Sequence, residues 1–318
     1  MSHVYSRTIL AASLLLSGLN NLPSFAQEPT STDKEAMSVK CGNYPGTTQF
    51  QRAWVYDQGL GVPINIPEAV RLYKEAVDLG NPLAKGRLAR IYFSGNGVLV
   101  DNTEADLLVK GIAKEVTKSA ESNIAVAQII LASMYIDGLG VPRDQAEGLK
   151  WLRKAADQNL SLAQSNLGVV YENGVGVERD YSEAVKWYRK AAEQNLAIAQ
   201  GYLGDMYYFG KGVDKDNLEA VKWYRKSADQ NFAHAENNLG RMYNEGCGVI
   251  QDQCEAAKWF RKSAEQNFVI AQANLGMMYA NGTGVVQDLR EAEKWYRKAA
   301  AQGDEDSRRE LRRLGFAP

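Results

Sequence analysis

The sequence repeats itself every 36 residues over most of its 318-residue length. The tract AQSNLGVVYENGVGV begins at Ala163, and similar tracts begin at Ala199, Ala235 and Ala271. A period of this length is typical of stacked repeat proteins, in which each small unit buries its apolar face only against its neighbours. The period therefore restricts the chain to a solenoid before any other property is considered.

The pattern extends toward the N-terminus and gives seven repeats. The predicted repeats span residues 48–83, 84–126, 127–162, 163–198, 199–234, 235–270 and 271–306. Repeat two is seven residues longer than the others, and the extra residues fall between Leu108 and Lys118. Seven residues make about two helical turns, so we expect a longer second helix with a kink at Gly111. Residues 307–318 are predicted to form a C-terminal capping helix with a basic surface.

Each repeat contains two apolar patterns of helical period. In repeat four the two stripes comprise Ala163, Leu167, Val170 and Tyr171, and then Ala184, Trp187, Tyr188 and Ala191. A small residue follows the leucine position of the first stripe, which predicts that a neighbouring helix packs too closely for a larger side chain. These small residues are Ala53, Ala89, Ala132, Gly168, Gly204, Gly240 and Gly276.

Paired glycines and paired acidic residues recur between the two helices. A Gly-x-Gly pair can cradle a phosphate and an acidic pair can hold a metal. Here, however, the glycines stand where a left-handed residue closes a helix, and Asp-x-x-Glu stands where a capping box opens one. We therefore predict no cofactor and no metal site. The glycine pairs are Gly59/Gly61, Gly95/Gly97, Gly138/Gly140, Gly174/Gly176, Gly210/Gly212, Gly246/Gly248 and Gly282/Gly284, and the caps are Asn65/Glu68, Asp101/Glu104, Asp144/Glu147, Asp180/Glu183, Asp216/Glu219, Asp252/Glu255 and Asp288/Glu291.

The first 26 residues have the features of a secretory signal peptide. Arg7 supplies a positive charge, the 11-residue run ILAASLLLSGL is too short to cross a bilayer, and SFA before Gln27 suits cleavage. Residues 27–47 would then form a polar N-terminal tail. The remaining chain has 36 basic and 38 acidic residues, which gives no reason to expect nucleic-acid binding or membrane insertion.

Little in the sequence indicates catalysis. Beyond the signal segment His234 is the one histidine, and we place it in a turn between repeats five and six in an exposed or capping role. The S-x-x-K tetrad that begins at Ser31 lacks the K-T-G and S-D-N motifs that accompany it in penicillin-recognising enzymes. We therefore predict that the chain is not an enzyme.

The repeats resemble the SEL-1-like repeat, a relative of the tetratricopeptide repeat with a longer inter-helix loop. The similarity lies in the string A-x-x-x-L-G-x-x-Y-x-x-G-x-G-V-x-x-D-x-x-E-A-x-K-W-Y-R-K-A-A, which repeats three to seven follow closely. Repeats one and two depart from it at Arg52, Asn65, Leu72 and Leu108. The resemblance implies an all-α fold, a right-handed α-solenoid of antiparallel helix pairs that binds other proteins.

Members of this family are commonly adaptors and assembly scaffolds, and exported members in Gram-negative bacteria are associated with host interaction and envelope assembly. The resemblance favours a periplasmic or secreted scaffold that binds a host or secreted protein. One alternative is a periplasmic scaffold for cell-envelope assembly. A third is β-lactamase-like or penicillin-binding activity, described for cysteine-rich members whose cysteine pattern this chain lacks.

A protein partner would contact the first helices, which line the concave face in such solenoids. Positions six and nine residues after the start of each repeat point away from the core at 100° per residue. These positions vary while the framework does not, as expected either of a recognition surface or of a surface under no constraint. The candidate partner-binding residues are Trp54, Arg90, Phe93, Ile136, Glu172, Asp205, Tyr208, Arg241, Asn244 and Met277.

Two further residue types remain to be placed. The tryptophans Trp151, Trp187, Trp223, Trp259 and Trp295 have the spacing of core residues rather than of a stacking platform for sugars or bases. Cys247 and Cys254 belong to one loop, so in an oxidising compartment we predict a disulfide between them. Cys41 would be free or paired between molecules, and the alternative is three unpaired thiols.

Overall fold

The computed structural model describes residues 41–60 and 62–316, and all the regular elements of this part of the chain are helices. The predicted signal peptide, residues 27–40 of the predicted tail and the S-x-x-K tetrad lie outside the described residues. The chain forms two compact blocks that divide between Asp180 and Tyr181. We describe the N-terminal block and the C-terminal block separately.

The N-terminal block contains eight of the described helices. They are α1 (Thr47–Gln58), α2 (Ile66–Asp78), α3 (Pro82–Ser94), α4 (Asn102–Val109), α5 (Ala113–Glu121), α6 (Ala125–Asp137), α7 (Gln145–Asp157) and α8 (Ser161–Asn173). Helices that follow one another pack together, except at the α4–α5 junction, and α3 also packs on α6. The first helix of one repeat thus contacts the first helix of the next as well as its own second helix.

The C-terminal block contains the remaining eight. They are α9 (Tyr181–Glu193), α10 (Ala197–Phe209), α11 (Asn217–Ala228), α12 (Ala233–Glu245), α13 (Gln253–Glu265), α14 (Val269–Asn281), α15 (Leu289–Ala301) and α16 (Glu305–Arg313). Residue pairing between α10 and α11 shows their direction: Gly204 lies against Tyr224, and Gly201 lies against Ser227. Because residue numbers fall along one helix as they rise along the other, the pair is antiparallel. The predicted all-α class is confirmed.

The small residues beside the leucine positions have the predicted role. A Cβ atom added at any of three of these glycines would press on the aromatic ring of the second helix of the same repeat. The distances to the nearest ring atom would be 2.7 Å for Gly204 and Tyr224, 2.9 Å for Gly240 and Phe260, and 2.9 Å for Gly276 and Tyr296. Glycine therefore lowers the helix propensity at this position but allows the two helices to pack closely.

The paired glycines end the first helices, as predicted, but the two glycines do different work. The first glycine of each pair takes a left-handed conformation at the helix C-terminus, as Gly210 does with a φ of 66°. In repeats four to seven the second approaches the backbone of the preceding repeat: a Cβ at Gly176 would lie 2.8 Å from the carbonyl oxygen of Gln145. The second glycine therefore belongs to the interface between repeats.

The acidic pairs cap the second helices through one half of a capping box only. The Asp216 carboxylate accepts the backbone N–H of Glu219 at 3.0 Å, and Asn65, Asp101, Asp144, Asp252 and Asp288 do the same. The other bond of a capping box would run from the Asp216 backbone N–H to the Glu219 side chain. It does not form, because this N–H donates to the carbonyl of Tyr207 at 3.0 Å. Glu219 instead pairs with Lys222 at 2.9 Å.

The seven-residue insertion does not lengthen the second helix of repeat two, so this prediction is wrong. That helix is broken into α4 and α5. Lys110 is extended, with φ −61° and ψ 116°, and Gly111 follows with a positive φ of 82°. An extended residue followed by a left-handed one cannot continue an α-helix, so the insertion makes a second short helix rather than a longer first one.

The described part of the predicted tail packs on the N-terminal block. The Tyr44 hydroxyl contacts the Ser119 hydroxyl on α5, and Cys41 is buried. Burial raises the pKa of the Cys41 thiol to about 11, so this thiol is held in its neutral form. At the other end α16 buries Leu311 and exposes Arg309, Arg312 and Arg313.

The tryptophans lie in or beside the core, as predicted. Trp151, Trp259 and Trp295 are buried, whereas Trp187 and Trp223 are half-buried. A lysine three residues further along the helix lies over each ring, at 3.9 Å for Trp151 and 4.3 Å for Trp295. The rings are therefore covered by lysine side chains and do not form an open stacking platform.

Candidate protein-binding surface

The candidate partner-binding residues lie on the first helices of both blocks, and we call those of the C-terminal block, Asp205, Tyr208, Arg241, Asn244 and Met277, the first-helix surface. Phe93 and Met277 are exposed, by 39% and 44% of their surface. Seven others are half-buried: Arg90, Ile136, Glu172, Asp205, Tyr208, Arg241 and Asn244. Trp54 is the exception among the ten.

Trp54 is buried in the N-terminal block, which contradicts its predicted exposure. It is 6% exposed and packs on Phe50, with the ring centroids 5.6 Å apart. The Arg87 guanidinium lies 5.6 Å from its ring centroid. Arg87 is held there by an ion pair with Asp57, in which the Arg87 Nε atom lies 2.5 Å from the carboxylate. The tryptophan is therefore covered by a cation, which the sequence pattern of a single repeat does not indicate.

Arg90, in the same block, is held by an ion pair. Its Nε atom lies 3.3 Å from Asp137 on α6. Burial lowers the pKa of Arg90, and the Asp137 carboxylate opposes this effect. The residue therefore joins two repeats and presents a charge that is already neutralised.

Tyr208 and Arg241 come together in the C-terminal block. The guanidinium carbon of Arg241 lies 4.4 Å from the centroid of the Tyr208 ring, although the two residues come from different repeats. The Tyr208 hydroxyl reaches Glu245 at 3.5 Å. The Nε atom of Arg241 is buried and has no hydrogen-bond partner among the described residues. Stacking therefore positions the guanidinium without using the hydrogen bond of its Nε atom.

Asp205 is the centre of a hydrogen-bonded group next to this pair. Its Oδ1 atom accepts the Tyr224 hydroxyl at 2.7 Å and the Asn238 amide at 3.0 Å. Its Oδ2 atom lies 3.5 Å from the Nε2 atom of His234. Burial raises the pKa of Tyr224 well above its ordinary value, and the Asp205 charge adds to this effect. Tyr224 is therefore a neutral donor, and Asp205 has a structural role in addition to its place on the surface.

His234 is not in a turn, so this prediction is wrong. It lies in the first turn of α12, half-buried, with its ring 5.7 Å from that of Phe232 and 6.2 Å from that of Phe268. The first helices begin two residues before the predicted repeat boundaries, which is why His234 was assigned to a connection. Sequence reasoning also missed Asn238, whose signal is that it lies one helical turn after His234 on the same face.

The structural part of the Asp205 role can be tested. Asp205→Ala leaves the Tyr224 hydroxyl and the Asn238 amide without their acceptor, and we expect a loss of about 2 kcal/mol in the free energy of unfolding. Phe260 occupies the equivalent position of repeat six, so the double variant with Tyr224→Phe should recover part of the loss. Urea denaturation of both variants measures this. Equal losses in the single and double variants would contradict the assignment.

The predicted disulfide between Cys247 and Cys254 is not formed in this structure. Cys254 is exposed at the start of α13. The Cys247 sulfur lies in the turn between its flanking glycines, 3.8 Å from the Glu245 carboxylate.

No group of three or more histidine, cysteine or acidic side chains among the described residues could hold a metal ion. None of the helices from α1 to α16 is both long and apolar enough to cross a membrane.

The fold and the surface define an all-α repeat protein of the solenoid class. The family model described as "Sel1 repeat" matches residues 48–81, 82–105, 125–160, 161–196, 197–232, 233–268 and 269–304. The chain is a member of the Sel1 repeat family. From the second repeat onward, the matches begin two residues before the boundaries drawn from the sequence, in step with the observed helices.

Solved structures agree with this assignment. A protective antigen present in uropathogenic Escherichia coli strains, which displays an SLR fold, is 33% identical over 91% of this chain, with a TM-score of 0.58. This chain spans 61% of the length of that protein. A Sel1 repeat protein from Oxalobacter formigenes is 31% identical over 85% of this chain and 76% of its own, with a TM-score of 0.60. No curated protein matches the chain.

Membership of the family gives the general class of function. Sel1 repeat proteins are generally protein-interaction scaffolds, and the fold is generally non-catalytic. The residue groups described above agree with that class, because the Asp205 group holds helices together and the Tyr208–Arg241 pair is only half-buried.

Proposed function

We propose that this chain is an exported scaffold that binds a protein partner through the first-helix surface, with Tyr208 and Arg241 as the anchor. The observation that carries the proposal is the stacking of Arg241 on Tyr208 at 4.4 Å, with a buried Nε atom that has no hydrogen-bond partner among residues 41–60 and 62–316. Aromatic residues and arginine dominate binding energy at protein interfaces. A pre-positioned guanidinium also loses less conformational entropy on binding than a free one.

The neighbouring residues extend this anchor into a surface. Asn244 lies one turn further along α12, and Met277 is exposed on α14. Glu245 contacts the Tyr208 hydroxyl, so the partner meets both a cationic and an anionic group at this place. The surface thus offers apolar, aromatic and charged contacts along successive first helices, which suits a peptide or protein segment rather than a small molecule.

Binding can be tested with protein that lacks residues 1–26. The double variant Tyr208→Ala with Arg241→Ala removes both anchor side chains, of which Tyr208 also packs against the core of the C-terminal block. We expect its affinity for the partner captured from envelope extract or host secretions to fall at least about 30-fold, the effect of a hot-spot loss of 2 kcal/mol.

A matched control carries Lys222→Ala and Lys258→Ala, two exposed lysines of the second helices. This control should capture the partner normally. The proposal fails if the anchor variant binds the same partner as tightly as the control does.

The proposed location is the periplasm or the exterior of a Gram-negative cell. The support is the N-terminal segment with Arg7, an 11-residue apolar run and a small-residue cleavage site. The similarity to a protective antigen of uropathogenic Escherichia coli also supports a host-facing role. Cell fractionation with an antibody to residues 41–316 tests this: the protein in culture supernatant favours a secreted binder, whereas retention in the periplasm favours an envelope scaffold.

A further inference from the structure

A buried glutamine recurs at one position of the first helices, and in three repeats it is seen to join three helices. In repeats three, four, five and seven the residue is Gln128, Gln164, Gln200 and Gln272, and each is almost fully buried. The Gln200 amide nitrogen donates to the carbonyl of Ala192 at 3.2 Å and to the side-chain oxygen of Asn195 at 3.1 Å. Both acceptors lie at the end of the preceding second helix.

The oxygen of the same side chain receives a hydrogen bond from the other direction. Gln230, at the end of the following second helix, donates to the Gln200 oxygen at 2.7 Å. The same contact at 2.7 Å links Gln302 to Gln272 and Gln158 to Gln128. Each of these three amides therefore uses both its donor and its acceptor, and the position requires a group that can do both.

Repeat six has a glutamate, Glu236, at this position. It is 1% exposed. Its Oε2 atom accepts from Gln266 at 2.6 Å, as the glutamine oxygens do in the other repeats. Its Oε1 atom is buried and has no hydrogen-bond partner among the described residues.

The repeat pattern identifies what Oε1 faces. The residues equivalent to Ala192 and Asn195 are Ala228 and Asn231, and Asn231 has the same left-handed backbone, with a φ of 60°. The Glu236 Oε1 atom therefore takes the place of the glutamine nitrogens, and it faces the oxygen atoms of Ala228 and Asn231, which accept hydrogen bonds. A carboxylate cannot donate a hydrogen bond, whereas a protonated carboxyl group can donate one.

We propose that Glu236 is a proton-binding residue: when protonated it donates from Oε1 to the end of α11 and completes the three-helix junction, and when ionised it loses this bond and loosens α12. The proton on the carboxyl group replaces one hydrogen of the glutamine amide. Because α12 also carries Arg241 and Asn244, this junction is next to the proposed binding surface.

The burial of Glu236 places its ionisation near neutral pH. Burial raises its pKa from 4.5 to about 7, Lys262 and the Gln266 hydrogen bond oppose this effect, and Glu265 adds to it. Lys262 and Glu265 both belong to α13.

The other elements around the junction contribute few charges. The described residues of α14 include no charged side chain, and Asp205 of α10 is engaged by Tyr224 and Asn238. Asp229 at the end of α11 is exposed, and His234 precedes Glu236 by two residues. Burial is thus the dominant influence on the Glu236 proton.

The direction of the pH dependence follows from these values. Because the pKa of Glu236 in the folded protein is above 4.5, the folded state binds the proton more tightly than the unfolded chain. The stabilisation is complete below pH 4.5 and is lost as the pH rises through about 7. Glu236→Gln restores a donor that does not titrate.

Thermal denaturation of the intact protein at pH 5 and pH 8 tests the proposal. At pH 8 we expect Glu236→Gln to melt about 5 °C above the unchanged protein, and the gap should shrink at pH 5. Gln200→Glu places a carboxyl group at the equivalent position of repeat five, and it should lower the melting temperature at pH 8 more than at pH 5. A gap of the same size at both pH values would overturn the proposal.

A direct measurement follows the proton itself. In protein with carbon-13 in its glutamate carboxyl groups, the signal that disappears in Glu236→Gln should titrate with a midpoint near pH 7. A midpoint near the ordinary value for glutamate would overturn the proposal independently of any effect on stability.

Discussion

Replacing Gly284 by alanine is expected to destabilise the C-terminal block by about 3 kcal/mol, a large effect for one added methyl group. The new Cβ atom would overlap the carbonyl group of Gln253, which belongs to the preceding repeat, and would lie 3.0 Å from the backbone nitrogen of Cys254. Gly284 also has a φ of 66°. The left-handed backbone costs alanine about 1 kcal/mol, and relieving the overlap costs a further 1–3 kcal/mol, roughly, as in other overpacked sites.

Gly303→Ala is the matched control for this prediction. Gly303 has a φ of 93°, but a Cβ atom there would have no neighbour within 4 Å. It should therefore lose only the conformational part, about 1 kcal/mol. Urea denaturation followed by circular dichroism gives both values. Equal losses in the two variants would show that close approach between repeats does not constrain Gly284.

Arg87→Met is expected to cost the N-terminal block about 3–5 kcal/mol, the loss seen when one member of a buried ion pair is removed. The Asp57 side chain is fully buried and receives Arg87 Nε at 2.5 Å. The Tyr73 hydroxyl donates to the same carboxylate at 2.9 Å. Burial raises the pKa of Tyr73, and the Asp57 charge adds to the effect. Without the guanidinium, a buried carboxylate would keep the tyrosine alone as its partner.

The double variant Asp57→Asn with Arg87→Met separates charge from packing. It leaves no buried charge, and the amide oxygen can still accept the Tyr73 hydroxyl. We therefore expect it to be more stable than Arg87→Met alone, although it has lost more polar contacts. Chemical denaturation at pH 7 compares the two proteins. If the double variant is the less stable one, the loss in Arg87→Met comes from packing on Trp54 and not from the unpaired charge.

Features set by residues close together in the sequence could be predicted better than features that depend on residues far apart. The starts of the second helices were placed well, because a cap such as Asp216 with Glu219 involves residues three positions apart, whereas from the second repeat onward the first helices begin two residues before the predicted boundaries. The insertion in repeat two was misjudged, because Lys110 and Gly111 adopt conformations that the helical period alone does not predict.

The candidate surface was predictable in outline only. Repeat geometry placed Tyr208 and Arg241 on the same face, but it did not show that they stack, since they are 33 residues apart. It also placed Trp54 on that face, where the Asp57–Arg87 ion pair covers it. Asp205 was selected as a surface residue, and its second role depends on Tyr224 from another helix.

The sequence by itself determined the period, the helix pairs and their ends, because these depend on local backbone preferences that recur in every repeat. Only the tertiary structure decided which polar side chains are buried and what they contact. Glu236 shows the difference most clearly. The sequence shows a glutamate where other repeats have glutamine. The missing hydrogen-bond donor has a consequence only because the carboxyl group is buried between α11 and α13. Burial and pairing depend on contacts between residues some 30 positions apart, and those contacts exist only in the stacked fold.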